Sequence, residues 1–409
     1  MALHLAPELD PDPLDAADPL ATFRDRFVVA DPGLVYLDGN SLGRLPKSTA
    51  ERLREVVEGE WGEELIRGWD HWLAEPERVG DRLGAAVLGA RPGEVVVSDS
   101  TTVNFYKLAH AALEARPGRR MILTDRPNFP TDRYVLEGLV ERRGLAIRWL
   151  DPDPVDGPQP VEVEAALRDH RDDVALVTLS HVNYRSAAIA DMAAITALAH
   201  EAGALVIWDL SHSAGSIEVD LDGSGADLAV GCTYKYLNAG PGAPAWLYVR
   251  HSLQGELRNP IQGWFGQRDQ FAMGQGYHPE PGIRAWLTGT PPIPAIAAVD
   301  AGVALVEEAR VERIRAKGIA LTDYAIALVD ALLAPLGFSV GSPREAARRG
   351  AHVAVRHPDA ERLTAELIAG GVVPDYRAPD SIRLGLSPLT TSFRDVRLGI
   401  DRLRALADR

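Results

Sequence analysis

The chain has 409 residues, 46% of them hydrophobic and 25% charged, which is typical of a globular protein with a sizeable core and room for two domains. Its formal net charge of −15 argues against nucleic-acid binding, because an acidic surface repels phosphate backbones. The single cysteine, Cys232, excludes an internal disulfide framework and a multi-cysteine metal site, and no run of about 18 apolar residues predicts a membrane span. The acidic, Pro-rich start lacks the features of a signal peptide, so we predict a soluble cytoplasmic protein.

The first fifty residues predict an arm and a segment that packs with a small second domain. They carry repeated Asp and Pro, a short helix near Phe23–Val29, and a strand at residues 35–43 (VYLDGNSLG) that runs into a Gly-rich turn. Helices are predicted next at Ser48–Glu60 and Asp81–Leu88.

Apolar strands and helical patterns then alternate, which predicts an α/β domain over residues 51–294 with a mostly parallel, seven-stranded, doubly wound sheet. The predicted helices lie at 102–114, 132–142, 162–170 and 189–202. The predicted strands lie at 94–100, 119–125, 145–150, 174–180, 204–210, 227–235 and 245–250.

A Gly/Pro-rich stretch at 274–294 interrupts this order. The remainder, residues 295–409, predicts a smaller α+β domain that begins with one long amphipathic helix at 295–316. Further helices are predicted at 322–335, 360–370 and 393–407, and strands at 352–357 and 381–386.

Ligands bind beyond the carboxyl ends of the strands in such a sheet, so the residues at those ends are candidates for a site. Ser100, Thr101 and Thr102 open a helix after the first strand and suit a phosphate, although capping of the helix by Ser100 or Thr101 is the commoner role of such hydroxyls. Phe129 follows the next strand and could stack on a planar ring or belong to the core.

Two later strands end in groups that carry chemistry. Asp209 ends one strand with His212 close behind, a pattern that suits a protonated ring nitrogen or a metal, or else a simple Asx turn. Lys235 ends another strand, after Tyr234, and is one of only four lysines among 43 basic residues. A lysine amine at a buried strand end can act as a nucleophile, which arginine cannot. Together these residues predict pyridoxal 5′-phosphate (PLP) held as a Schiff base on Lys235.

At this point the chain resembles the kynureninase family. The resemblance spans nearly the whole length, and TYKYLN with GWFG and NFPTD makes it more specific than an Asp and Lys pair alone. The motifs that carry it are YLDGNSLG (36–43), STTVNFY (100–106), NFPTD (128–132), VNYRSA (182–187), WDLSHSAG (208–215), CTYKYLNAGPG (232–242), GWFG (263–266), TGTPPI (288–293) and SIRLGLSPL (381–389).

The resemblance implies the PLP-dependent transferase fold (fold type I) and a homodimer with shared active sites. It implies hydrolytic Cβ–Cγ cleavage of L-kynurenine to anthranilate and L-alanine in tryptophan catabolism. Lys235 carries the cofactor, Asp209 pairs with its ring nitrogen, and Tyr234 is a candidate proton donor, although a phosphate hydrogen bond is an equal alternative for Tyr234. The remaining implied cofactor contacts are Thr101, Thr102, Phe129, Asp132, Ser186 and His212, with Trp264 and Thr290 contributed by the neighbouring subunit.

At the substrate end, the resemblance implies that Arg383 grips the α-carboxylate, with Asn40 and Ser41 nearby. Members of the family that prefer 3-hydroxykynurenine carry Asn at the position of Thr290 and His in the segment matching residues 61–69 (WGEELIRGW). This chain has neither, so the resemblance implies a preference for kynurenine. Alternatives are a class V aminotransferase, a desulfurase-like enzyme, or a homologue acting on a modified kynurenine. A desulfurase needs a mobile catalytic cysteine, and Cys232 lies on a buried strand. A non-enzymatic binding protein would be expected to have lost Lys235 or Asp209.

Overall fold

The computed structural model describes residues 9–408. Within them the α-helices are α1 (Pro11–Ala16), α2 (Lys47–Glu55), α3 (Trp69–Trp72), α4 (Glu75–Leu83), α5 (Thr101–Glu114), α6 (Pro130–Arg143), α7 (Pro160–Asp169), α8 (Met192–Glu201), α9 (Ile293–Ala309), α10 (Val311–Leu328), α11 (Ala360–Ala369) and α12 (Phe393–Ala407). The strands are β1 (Val35–Tyr36), β2 (Val95–Val97), β3 (Met121–Asp125), β4 (Ala146–Leu150), β5 (Val174–Ser180), β6 (Leu205–Asp209), β7 (Leu228–Gly231), β8 (Trp246–Val249), β9 (Ser339–Val340), β10 (His352–Arg356), β11 (Val372–Val373), β12 (Asp375–Arg377) and β13 (Ser381–Gly385).

The large domain is built on a seven-stranded sheet in the order β2-β8-β7-β6-β5-β3-β4, in which only β8 runs antiparallel to its neighbours. Successive residues of one strand enter different cores: Val206 and Trp208 pack on one face of the sheet, and Leu205 and Ile207 pack on the other. Both faces are therefore covered, as the continuous apolar strands predict. The predicted mostly parallel seven-stranded α/β sheet is confirmed.

The small domain has its own core beneath the antiparallel sheet β12-β13-β10-β9. Strand β1 pairs in parallel with β11, and α1 packs on α12, so these two elements lie against this domain, whereas Leu20, Phe23 and Phe27 are buried in the large-domain core. Residues 1–8 of the predicted arm lie outside the described residues. The domain boundaries at residues 50 and 294 stay predictions.

The predicted long helix at 295–316 is wrong in its extent. The helix is interrupted at Arg310, whose φ of 68° is left-handed. Helix α10 then runs to Leu328 and includes residues 317–321, which the sequence predicts as the gap between two helices. Val303 of α9 is buried in the large-domain core, and α10 begins in the same core at Ile314 and reaches the small-domain core at Leu321. The helix after the break therefore links the two cores.

Two helices near the N-terminus also differ from prediction. The segment near Phe23 is a 3-10 helix (Ala21–Arg26), and the predicted Ser48–Glu60 helix is α2 followed by a π-helical segment (Val56–Glu64). By length and composition, Val311–Leu336 could cross a membrane, although half of its most apolar window is buried inside the protein. It is a core helix of the small domain.

Candidate active site

A cavity of about 160 Å³ lies at the carboxyl-end edge of the central sheet, beyond β5 and β6. Eight of the predicted site residues meet in its wall. It is lined by Ser100, Thr101, Thr102, Phe129, Thr131, Asp132, Ser180, Tyr184, Asp209, Ser211, His212, Tyr234 and Lys235.

Lys235 is buried in this cavity, with its Nζ 3.0 Å from Nε2 of His212 and 5.7 Å from the ring centroid of Phe129. The turn that carries Lys235 is hydrogen-bonded to the N-terminal segment, because the Gly43 amide donates to the carbonyl of Tyr234 (2.8 Å). A Cβ on Gly43 would lie 2.3 Å from the Lys235 carbonyl oxygen, so only glycine allows this approach.

The three buried lysines differ in their partners. Lys107 and Lys317 each form an ion pair, with Asp99 (2.6 Å) and Asp18 (2.7 Å) respectively. Lys235 instead faces the ring of His212. Burial, and then the positive charge of Lys235, holds the pKa of His212 well below its ordinary value, so the imidazole is neutral. The hydrogen-bond neighbour of Lys235 is therefore a neutral ring, whereas the neighbours of Lys107 and Lys317 are carboxylates.

Two carboxylates stand in the same wall. Oδ1 of Asp209 accepts a hydrogen bond from the Ser211 amide (2.8 Å), which fixes the carboxylate at the end of β6. Asp132 is almost fully buried, and burial together with the charge of Asp209 raises its pKa well above the ordinary value. Oδ2 of Asp132 and Nδ1 of His212 are buried without a hydrogen-bond partner among residues 9–408, so both could bind a polar ligand group.

Helix α5 directs its N-terminus at the cavity. Ser100 is the N-cap, and its hydroxyl accepts from the Val103 amide (3.3 Å), so the capping alternative is correct for Ser100. The first amides of a helix have no intrahelical acceptor, which leaves those of Thr101 and Thr102 available to an anion. An amine, an anion site, an aromatic face and a carboxylate thus share one cavity, and these groups fit pyridoxal phosphate.

The predicted substrate residues form a second cluster. Arg383 is fully buried, and its guanidinium donates from Nε to Asp375 Oδ1 (3.1 Å), from Nη1 to the Tyr184 carbonyl (2.6 Å) and from Nη2 to Ser41 Oγ (2.7 Å). The Asn40 amide oxygen also lies 3.0 Å from Nε when the amide is oriented to satisfy its neighbours. The arginine expected to grip a substrate carboxylate is thus already paired with Asp375.

Three predicted residues are not brought into the cavity wall. Ser186 is buried in a turn, where its hydroxyl accepts from the Ala188 amide (3.2 Å). Trp264 and Thr290 are both exposed, and Trp264 packs edge-on against Phe265. The cofactor contacts expected of these residues stay predictions.

Sequence reasoning missed Ser180, Tyr184 and Asp375. Ser180 ends β5 beside Asp209 of β6, so the strand-end rule that found Asp209 would have found it too. Tyr184 lies in a loop, and Asp375 is placed by the pairing of β12 with β13, so neither carries a local signal.

Comparison with known proteins places these features in context. A family model described as the kynureninase C-terminal domain matches residues 314–403. A kynureninase from Pseudomonas fluorescens is 44% identical over 404 residues, covering 97% of this chain and 94% of that protein. One from Burkholderia pseudomallei is 43% identical over 403 residues, with the same coverage.

Solved structures similar in fold include an apo cysteine desulfurase from Thermococcus onnurineus, with a TM-score of 0.80, 18% identity and 100% coverage of both chains. Another is a C-DES mutant with glycine covalently linked to its PLP cofactor, with a TM-score of 0.79, 18% identity, and coverage of 93% of this chain and 98% of that one. At such identities the likeness concerns the fold alone, and it confirms the predicted fold type I.

Proposed function

The chain belongs to the kynureninase family, and from that membership we propose that it is a PLP-dependent hydrolase that cleaves the Cβ–Cγ bond of L-kynurenine, with one water, to anthranilate and L-alanine. The observation that carries the proposal is Lys235, a buried lysine whose amine contacts His212, in one cavity with Asp209 and the start of α5.

Pyridoxal phosphate, when bound, supplies an electron-withdrawing ring that stabilises negative charge on carbons joined to it. The residues that would hold it are Lys235 at its aldehyde carbon, Asp209 at its ring nitrogen, Phe129 against its face, and the amides of Thr101 and Thr102 at its phosphate. Nζ of Lys235, 3.0 Å from Nε2 of His212, would take a proton from the substrate α-carbon and give it up again.

Tyr234 is the proposed proton donor for the step that follows cleavage of the Cβ–Cγ bond. Burial raises the pKa of its phenol above the ordinary value, so the hydroxyl stays protonated at neutral pH. It can therefore donate a proton to the β-carbon after the bond breaks. This role for Tyr234 is part of the proposal, and a hydrogen bond to the cofactor phosphate remains the alternative role.

We further propose that Arg383 binds the substrate α-carboxylate by exchanging partners. In the structure its guanidinium is occupied by Asp375, and a carboxylate of the substrate would offer the same planar pair of oxygens. Ser41 contacts both Arg383 and Asp375, so its hydroxyl could stay hydrogen-bonded whether Arg383 is paired with Asp375 or with the substrate. Asn40 belongs to the same cluster.

Kynurenine is proposed over the 3-hydroxylated substrate because this chain has Thr290 where family members that prefer the latter carry Asn, and has no His in residues 61–69.

The proposal includes a homodimer in which Trp264 and Thr290 reach the neighbour's cofactor phosphate. Its support is their exposure: Trp264, 39% exposed, lies edge-on to the ring of Phe271 (61% exposed), an apolar pair that a second subunit could cover. A cytoplasmic location is part of the same proposal.

A desulfurase activity finds no support in the site, although desulfurases share the fold. Cys232 is buried, and its pKa is raised by that burial, so its thiol is held in the unreactive protonated form. Its Sγ lies 3.8 Å from the Ser211 carbonyl on the inner side of the cavity wall.

The test is product analysis with the full-length protein and PLP. Incubation with L-kynurenine should give equal amounts of anthranilate and alanine, and L-cysteine should give no sulfide. Lys235→Ala should abolish turnover and remove the borohydride-stable lysine adduct, whereas Lys47→Ala, at an exposed lysine, should change neither. An adduct on another lysine, or sulfide release without anthranilate, would refute the proposed function.

A further inference from the structure

Lys107 is a second buried lysine that the proposed reaction does not use. It lies on α5, has no exposed surface, and its Nζ contacts Asp99 Oδ2 (2.6 Å) and the carbonyl of Trp286 (2.7 Å). Side chains in a helix tilt toward its N-terminus, so this ammonium reaches back to the end of α5 that faces the cavity. Burying a charge there requires partners, and one of them, Asp99, directly precedes Ser100 of the cavity wall.

Asp99 is the residue that joins strand β2 to α5. Its φ of 47° is left-handed, which an L-residue other than Asn or Asp rarely adopts. Its carbonyl accepts from the Ala245 amide (2.8 Å), and its carboxylate accepts the buried ammonium of Lys107. The next residue, Ser100, is the N-cap of α5, so the conformation of Asp99 sets where the first amides of the helix are aimed.

The same carboxylate also holds the segment that precedes Thr290. The Thr288 hydroxyl donates to Asp99 at 3.2 Å and 3.3 Å, and Trp286, whose carbonyl accepts from Lys107, lies two residues earlier. The Thr288 carbonyl in turn accepts from the Phe265 amide (3.1 Å), next to Trp264. One ion pair therefore joins the start of α5 to both segments expected to reach the neighbouring subunit.

We propose that Lys107 is a positioning residue for the cofactor phosphate: its ion pair with Asp99 fixes the left-handed turn that aims the α5 amides and anchors the segment leading to Thr290. This inference rests on the proposed function, because it presumes that the phosphate binds at the start of α5. It predicts that losing the pair weakens binding of the phosphate group and leaves binding of the pyridoxal ring unchanged.

The decisive comparison uses the full-length protein with the cofactor removed and then titrated with PLP and with pyridoxal, which lacks the phosphate. Lys107→Met leaves the Asp99 charge without its partner and could unfold the chain. The double variant Lys107→Met/Asp99→Asn removes both charges and avoids an unpaired buried ion. Lys47→Met removes an exposed lysine and is the control for loss of a lysine as such.

We expect the folded double variant to bind PLP at least about tenfold more weakly, a change of about 1.4 kcal/mol, while its pyridoxal affinity stays within about twofold of the parent. The phosphorus NMR signal of bound PLP should broaden or shift. Unchanged PLP affinity, or equal losses for PLP and pyridoxal, would show that the pair supports only the fold. If the parent protein itself bound no PLP, the proposed function would fail first, and the two failures are thus distinguishable.

Discussion

Replacing Arg383 by alanine tests the substrate end of the site most directly. A carboxylate that loses a buried guanidinium partner costs about 3–5 kcal/mol, and each 1.4 kcal/mol is a factor of ten. We therefore expect Arg383→Ala to lower kcat/KM for kynurenine by about 150- to 4,000-fold, mainly through KM. PLP affinity should stay near that of the parent, because Arg383 is not in the wall of the cofactor cavity.

The surroundings of Arg383 supply the necessary control. The substitution also leaves Asp375 unpaired, and it removes a positive charge that opposes the rise in the pKa of Asp38, which burial raises to about 6. Part of the effect could thus be lost stability. Asp375→Asn keeps the guanidinium and removes its competing carboxylate, so it should leave KM unchanged or lower it.

The assay is the fluorescence of anthranilate over a range of kynurenine concentrations, with thermal unfolding of each variant and PLP titration alongside. If a folded Arg383→Ala variant kept its KM, Arg383 would be a structural residue of the small domain. If Asp375→Asn raised KM as much as Arg383→Ala, the ion pair as a whole, not the free guanidinium, would be what the substrate needs.

Three further predictions concern the interface and the buried charges. Mixing inactive Lys235→Ala subunits with inactive Trp264→Ala subunits should restore up to one working site per heterodimer, and a mixture that stays inactive despite subunit exchange would contradict the shared site. Asp125 is buried and its pKa is raised to about 7 from 3.8, so the folded state binds this proton more tightly than the unfolded chain does. Its contribution to stability is therefore full below about pH 4 and lost as the pH rises through about 7. In urea unfolding, Asp125→Asn should flatten that dependence, and an unchanged slope would refute the assignment. Asp18→Asn leaves the buried Lys317 without its counterion and should lower the free energy of unfolding by about 3–5 kcal/mol; a loss below about 1 kcal/mol would show that Lys317 is hydrated or neutral in the folded state.

Much of the fold and part of the site could be predicted because the signals are local. A continuous apolar run such as that of β6 reports burial on both faces, and the carboxyl ends of parallel strands meet at one edge, which brings Asp209 and the residues after β7 together. His212 was found by its place just after the strand that ends in Asp209, whereas the family resemblance added Asp132, whose place in the wall no local pattern indicates. The sequence does not predict the break at Arg310, because neither glycine nor proline stands beside it and apolar residues occur on both sides.

The sequence by itself determined the alternation of strands and helices, the two-core organisation, and the chemistry available at each strand end, because hydrophobic periodicity and strand direction are properties of short segments. Only the tertiary structure decided which charges are paired. Arg383 meets Asp375 through the register of two antiparallel strands, and Lys107 meets Asp99 at the turn that opens its own helix. Such pairs depend on how separate elements pack, and a helical lysine has the same sequence signal whether it faces solvent or a buried carboxylate.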